Sequence, residues 1–212
     1  MYTIPTGSNP TGASLSEDRR RELYALACEH DLIVLEDDPY YFLQFGDRRA
    51  TPSLLQLDTE GRVLRFDSFS KVLSSGLRIG TVAGPAALVE RINLHTQAAN
   101  LHTSGVSQAA VEALLAHWGA GDTVEAGLGD MEAHVREVSA FYEKQCDAFM
   151  AAVDRHLGDK VEFSKPTAGM FAWMKLKGVD DTDELIKTRA VEAKVLMVPG
   201  SSFLPDGGPS PF

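Results

Sequence analysis

LIVLEDD, residues 32 to 38, is the stretch that decides the fold. Leu32 to Leu35 form a continuous apolar run, as in a strand buried on both faces, and such strands belong to parallel sheets covered by helices. The neighbouring segments agree. SEDRRRELYALACEHD, residues 16 to 31, places Leu23, Leu26 and Ala27 on one stripe with charges opposite, which predicts a helix. Ser14, with Glu17 three residues on, supplies a capping box at its start. RVLRFDSF (62 to 69) and IGTVAGP (79 to 85) read as further strands, and Tyr2, Thr3 and Ile4 as a first one. Strand–helix–strand alternation of this kind predicts an α/β fold with a mainly parallel sheet.

Beyond Pro85 the pattern changes. PAALVERINLHTQAA and SQAAVEALLAHW are helical, and WGAGDTVEAGLGD, 118 to 130, is a glycine-rich break. A long helix is predicted from about Met131 to Leu157, with Met131, Val135, Val138, Tyr142, Phe149 and Val153 close to one stripe. KVEFS, AGMFAWMKL and KVLMVPG read as strands, with the helix DTDELIKTRAVEA between the last two. Two units are expected: residues 1–119, part of an α/β domain, and 120–212, a linking helix followed by a small α+β domain.

Composition narrows the function. With 212 residues and 44% hydrophobic content the chain can bury a core. Its formal charge of −10 gives no nucleic-acid footprint. No apolar run is long enough for a membrane span. Cys28 and Cys146 stand far apart and fit neither a disulfide framework nor a metal site, so both are expected to be buried thiols.

Chemistry gathers in three loops: SNPTG (8 to 12), EDDPYY (36 to 41) and DSFSK (67 to 71). In an open α/β sheet, ligands bind beyond the carboxyl ends of the strands, so these loops can converge on one molecule. Each also has a plain structural reading: a turn, a solvated acidic loop, a serine-rich loop with a solvated lysine. Together they carry more. Serine hydroxyls and the Arg78 guanidinium suit a dianionic phosphate. A lysine beside them can form a Schiff base with an aldehyde, and a carboxylate can hold a ring nitrogen protonated. Alternation along the strand turns Asp37 to one face and Glu36 and Asp38 to the other. These are the parts that pyridoxal phosphate requires.

YTIPTGSNPTG, EDDPYYFLQF, DSFSKVLSSGLRIG, AGMFAWMKLKG and PSPF closely resemble the class I/II aminotransferases, above all the kynurenine/α-aminoadipate and fungal aromatic aminotransferases. The resemblance implies the fold-type I architecture, pyridoxal 5'-phosphate as cofactor, an amino acid and a 2-oxo acid as substrates, and a homodimer. It also implies that Lys71 joins the cofactor and moves the substrate proton. Asp37 would then pair with the ring nitrogen, Tyr40 and Asn9 with the phenolic oxygen, and Ser68, Ser70 and Arg78 with the phosphate. Members of the family carry further segments before the SNPTG region and after PSPF, so the chain reads as a C-terminal half, expected to lack activity alone. Any targeting segment is expected ahead of Met1, leaving cytoplasm or mitochondrion. The alternatives are an aminotransferase-like effector domain of a transcription regulator and a cofactor-binding remnant without catalysis.

Overall fold

The structure, a computed structural model, describes residues 1–46, 51–119 and 124–212, with the side chains of the last stretch described from residue 129. Four strands form one sheet in chain order: β1 (Tyr2–Thr3), β2 (Val34–Asp37), β3 (Val63–Ser68) and β4 (Gly80–Ala83). The β1–β2 and β2–β3 pairs are parallel, and β4 returns antiparallel to β3. The sheet is thus mainly parallel, as expected. β4 is the exception because a short loop, not a crossover helix, leads into it.

Helix α1 (Glu17–Glu29) lays Ala27 against Val34, Leu54 and Val63, with Leu23, Tyr24 and Leu55 packed around them. Leu54 opens a single turn, α2 (Leu54–Leu57). Two expectations change here. The cap of α1 is Ser16, whose hydroxyl accepts from the Arg19 amide, because Ser14 is used in the preceding turn, where it accepts from the Gly7 amide at 2.9 Å. Leu26 is exposed, as are Leu32 and Ile33; within the apolar run Val34, where pairing with β3 begins, is buried and Leu35 half-buried.

Arg20 departs furthest from its expected place among solvated charges. It is fully buried and donates to the carbonyls of Leu15, Pro52 and Pro5 and to the Thr6 hydroxyl. Burial pushes its pKa down, but the four acceptors share one cation and close the chain around the start of α1.

Helices α3 (Ala86–Ala99), α4 (Gly105–Trp118) and α5 (Val124–His156) follow. α5 starts ahead of the expected Met131 and runs through Gly127 and Gly129; each glycine costs a helix about 1 kcal/mol, which so long a helix can absorb. The unit boundary expected at 119/120 abuts residues 120–123, which lie outside the described residues. Val135 and Val153 are buried as the stripe requires, but Met150 turns inward in place of Phe149.

β5 (Val161–Phe163) and β6 (Met174–Leu176) make a separate antiparallel pair. The first half of AGMFAWMKL does not join it, because its backbone turns to the loop after β2: Phe45 donates to Thr167 and Gly169 to Leu43. KVLMVPG forms no strand among the described residues, and Leu196 stands 86% exposed. The helix expected at 181–193 is present over residues 183–192, with a π-helical stretch, Leu185–Ala190, in its middle. Cys28 and Cys146 are free but only half-buried, short of the expected burial.

On the covered face of β2, Glu36 and Asp38 are completely buried. Arg65 of β3 lies between them, 3.2 Å from Glu36 and 2.9 Å from Asp38, and 3.1 Å from Asp67. Its guanidinium also stacks over Tyr41 at 4.5 Å. Glu36 accepts from the Leu54 and Leu55 amides at 2.7 and 3.0 Å, which fixes the first turn of α2. Burial pushes the Asp38 carboxyl from 3.8 up to about 6, against the pull of Arg65.

Arg20→Met should lower unfolding stability by about 3 kcal/mol, because buried carbonyls lose their donor. Arg21→Ala, which breaks only an exposed pair with Glu17, should cost less than about 0.5 kcal/mol. Urea titration of both variants checks the contrast; equal midpoints would refute it. The raised Asp38 pKa also sets a pH signature. The folded state binds this proton more tightly than the unfolded chain, so its stabilising contribution is full below pH 3.8 and is lost as pH rises through about 6. Asp38→Asn should therefore gain stability relative to the wild type between those limits, measured by denaturation at pH 4, 5 and 6.

Candidate active site

Asp37 ends β2 on the face opposite Glu36 and Asp38, as alternation required. Its Oδ2 accepts from the Tyr2 hydroxyl at 2.5 Å. Tyr2 stands opposite Leu35 in the parallel register, and Asp37 is the next residue on that face. This bond, together with partial burial and the charge of Asp37, pushes the Tyr2 pKa to about 12.

Tyr40 follows the strand and is buried, with its ring edge-on to Phe171 at a centroid distance of 5.4 Å. Burial first, and then the charge of Asp37, raises the pKa of its hydroxyl, against a pull from the neighbouring Asn9 side chain. Asn9 is held by a closed turn in which the Gly12 amide donates to Ser8 and the Ser8 amide to Ala13. Gly12 has φ +68°, and a Cβ there would stand 2.5 Å from the Phe171 carbonyl oxygen. Gly7, at φ +51°, is equally confined: its Cβ would lie 2.9 Å from the Ala168 carbonyl and the Gly169 Cα. The SNPTG loop and the 168–171 segment therefore meet backbone to backbone.

The third loop leaves the end of β3. Ser68 Oγ accepts from the Ser70 amide at 3.1 Å. Arg78 folds back in the left-handed region at φ +53° and donates to the Ser75 carbonyl at 3.1 Å and the Ser70 hydroxyl at 3.4 Å. The Phe69 amide closes the loop on the Ile79 carbonyl. Two hydroxyls and a guanidinium are thereby gathered in one place. Lys71 is half-buried on the same loop, and its amine makes no hydrogen bond or ion pair with any described residue.

The sequence-predicted residues thus form two groups, Asn9–Tyr40–Asp37 and Ser68–Ser70–Arg78 with Lys71. No side-chain bond joins the groups among the described residues. What brings them side by side is the β2–β3 ladder, in which Asp37 faces Phe66 and the Asp38 amide donates to the Phe66 carbonyl at 2.9 Å. Sequence reasoning missed Tyr2 and Phe171. The strand reading of Tyr2 held the signal for the first, since a parallel neighbour of β2 must line the face that Asp37 occupies. Nothing local marks Phe171, which reaches Tyr40 from more than a hundred residues away.

Comparison with known proteins identifies the family and the fold. The family model "Aminotransferase class I and II" matches residues 4–209. The mitochondrial kynurenine/alpha-aminoadipate aminotransferase of Bos taurus is 48% identical over 213 residues, covering 100% of this chain and 48% of the bovine protein. Among solved structures, the Pyrococcus horikoshii kynurenine aminotransferase in complex with PMP superposes with a TM-score of 0.85 at 33% identity, over 99% of this chain and 49% of its own. The alpha-aminoadipate aminotransferase of Thermus thermophilus, complexed with N-(5'-phosphopyridoxyl)-L-leucine, gives 0.87 at 33% identity, over 99% and 51%. The chain spans about half the length of the relatives it matches. It belongs to the class I and II aminotransferases and has their fold-type I architecture.

Proposed function

We propose that this chain is the cofactor-binding part of a transaminase that moves an amino group from 2-aminoadipate, kynurenine or an aromatic amino acid to a 2-oxo acid. The observation that carries the proposal is Lys71: a half-buried amine without a partner among the described residues, on the loop where Ser68, Ser70 and Arg78 converge. The donor set fits pyridoxal 5'-phosphate. Hydroxyls and a guanidinium suit its phosphate, Asp37 its ring nitrogen, and the Tyr40 and Asn9 side chains its phenolic oxygen. Bound there, the cofactor would supply an electron sink for the carbon that loses its proton.

The residues then divide the work. Arg78, Ser68 and Ser70 would anchor the anion. Asp37, oriented by Tyr2, would hold a proton at the ring nitrogen. Tyr40, fixed edge-on by Phe171, and Asn9 would face the phenolic oxygen. Lys71 would hold the cofactor through its amine and, once the substrate amine has displaced it, would take the α-proton of the substrate and return it. All the relatives named above are aminotransferases, which favours an enzyme over a regulatory effector domain. The complete protein is proposed to be a homodimer of the mitochondrion or cytoplasm; the bovine relative is named as mitochondrial, and no described helix is long and apolar enough to cross a membrane.

Incubation with pyridoxal phosphate, borohydride reduction and peptide mapping should place the label on Lys71. A label concentrated on Lys144 or Lys165 would overturn the assignment. In the enzyme that contains this chain, Asp37→Asn should lower turnover roughly 10- to 150-fold, the kinetic equivalent of one charge-assisted bond. Asp38→Asn should act mainly through stability. Steady-state kinetics of the two variants separates them, and equal losses of turnover would mean that the strand face is wrongly assigned.

A further inference from the structure

Helix α5 reaches both site loops from behind. Ser139 donates to the Gln44 carbonyl at 2.5 Å, on the segment that follows Asp37 and Tyr40. Five residues earlier, His134 Nε2 lies 2.8 Å from the carbonyl of Val72, the neighbour of Lys71. A carbonyl only accepts, so Nε2 carries the proton. The imidazole is held in place by Trp118, the last residue of α4, with centroids 5.1 Å apart and planes inclined by 32°. Val72 is itself buried, and the Leu73 amide donates to Phe69 at 2.8 Å, closing a turn around Ser70 and Lys71. The Val72–Leu73 peptide, one removed from Lys71, is therefore tied both along the loop and across to a residue 62 positions away on α5.

We propose that His134 is a positioning residue for Lys71. Its N–H, braced on Trp118, holds the Val72 carbonyl and so fixes where the lysine amine stands relative to the Ser68–Ser70–Arg78 cradle. The physical ground is leverage: the Lys71 side chain starts one peptide from the tethered carbonyl, and a displacement of about 1 Å at a reacting group can cost ~100-fold in rate. The role of His134 rests on the assignment of Lys71 as the cofactor-bound lysine, but the tether itself can be measured without cofactor.

Two substitutions separate the hydrogen bond from the ring packing. His134→Phe keeps an aromatic ring against Trp118 and removes the donor; His134→Gln keeps an N–H donor and removes the ring. The 212-residue chain is followed in two ways. One is amide hydrogen exchange at Leu73 without cofactor, with the amides of α1 as a fold control. The other is borohydride trapping of pyridoxal phosphate at Lys71, relative to the exposed Lys160. For His134→Phe, Leu73 exchange should rise and Lys71 trapping fall, each about fivefold, the equivalent of one ordinary hydrogen bond, while α1 is unchanged. His134→Gln should restore both towards the wild type. The reverse pattern, with Phe matching the wild type and Gln loosened, would overturn the proposal in favour of packing alone. Faster exchange throughout α1 in both variants would also overturn it, by showing a general structural role. Trapping of the wild type at another lysine would refute the Lys71 assignment, and the Leu73 comparison would still decide whether His134 holds the loop.

Discussion

Arg65 is the charge on which the arrangement depends. Three carboxylates, Glu36, Asp38 and Asp67, converge on it from two adjacent strands, and two of them are wholly buried. Without that guanidinium the anions would face one another in a medium that solvates them poorly, and the ends of β2 and β3 could not lie side by side. Those ends carry Asp37 on one strand and the Lys71 loop on the other. The network is thus the underside of the site: the same alternation that buries Glu36 and Asp38 against Arg65 presents Asp37 on the opposite face.

A second layer of order comes from far along the chain. The 167–171 segment lies against the loop after β2 through the Phe45–Thr167 and Gly169–Leu43 backbone bonds and against the loop after β1 at Gly7 and Gly12, and Phe171 braces Tyr40. Tyr2 reaches Asp37 from the first strand. Groups offering acid–base chemistry are therefore each held by a partner remote in sequence, which is how a pocket built of loops acquires fixed geometry.

Most of the larger sheet was legible in the sequence because its signals are local. Apolar runs ended by acidic or serine-rich loops marked β2 and β3, an amphipathic stripe marked α1, and helical patterns marked α3 and α4. The candidate site residues came from the same kind of signal, since their motifs are contiguous, whereas their partners Tyr2 and Phe171 did not. Arg20 was not: its stretch of charges reads as a solvated face, and only the fold places four acceptors around it. KVLMVPG failed in the opposite direction. Its composition favours a strand, but a strand also needs a neighbour, and propensity carries no information about whether one is present. The long helix was placed late because glycines at 127 and 129 weaken the local signal without outweighing the packing further along.

The contact between Gly7 and the 168–169 peptide has a mechanical consequence. Where two main chains touch with no side chain between them, no rotamer change can absorb a shift, so the joint behaves as a weld and not as a bearing. Any movement of these loops has to flex elsewhere, and Tyr40 with its brace on Phe171 travels as one piece with the SNPTG loop. The SNPTG loop and the 168–171 segment are in effect a single rigid plate, although more than a hundred and fifty residues of chain separate them.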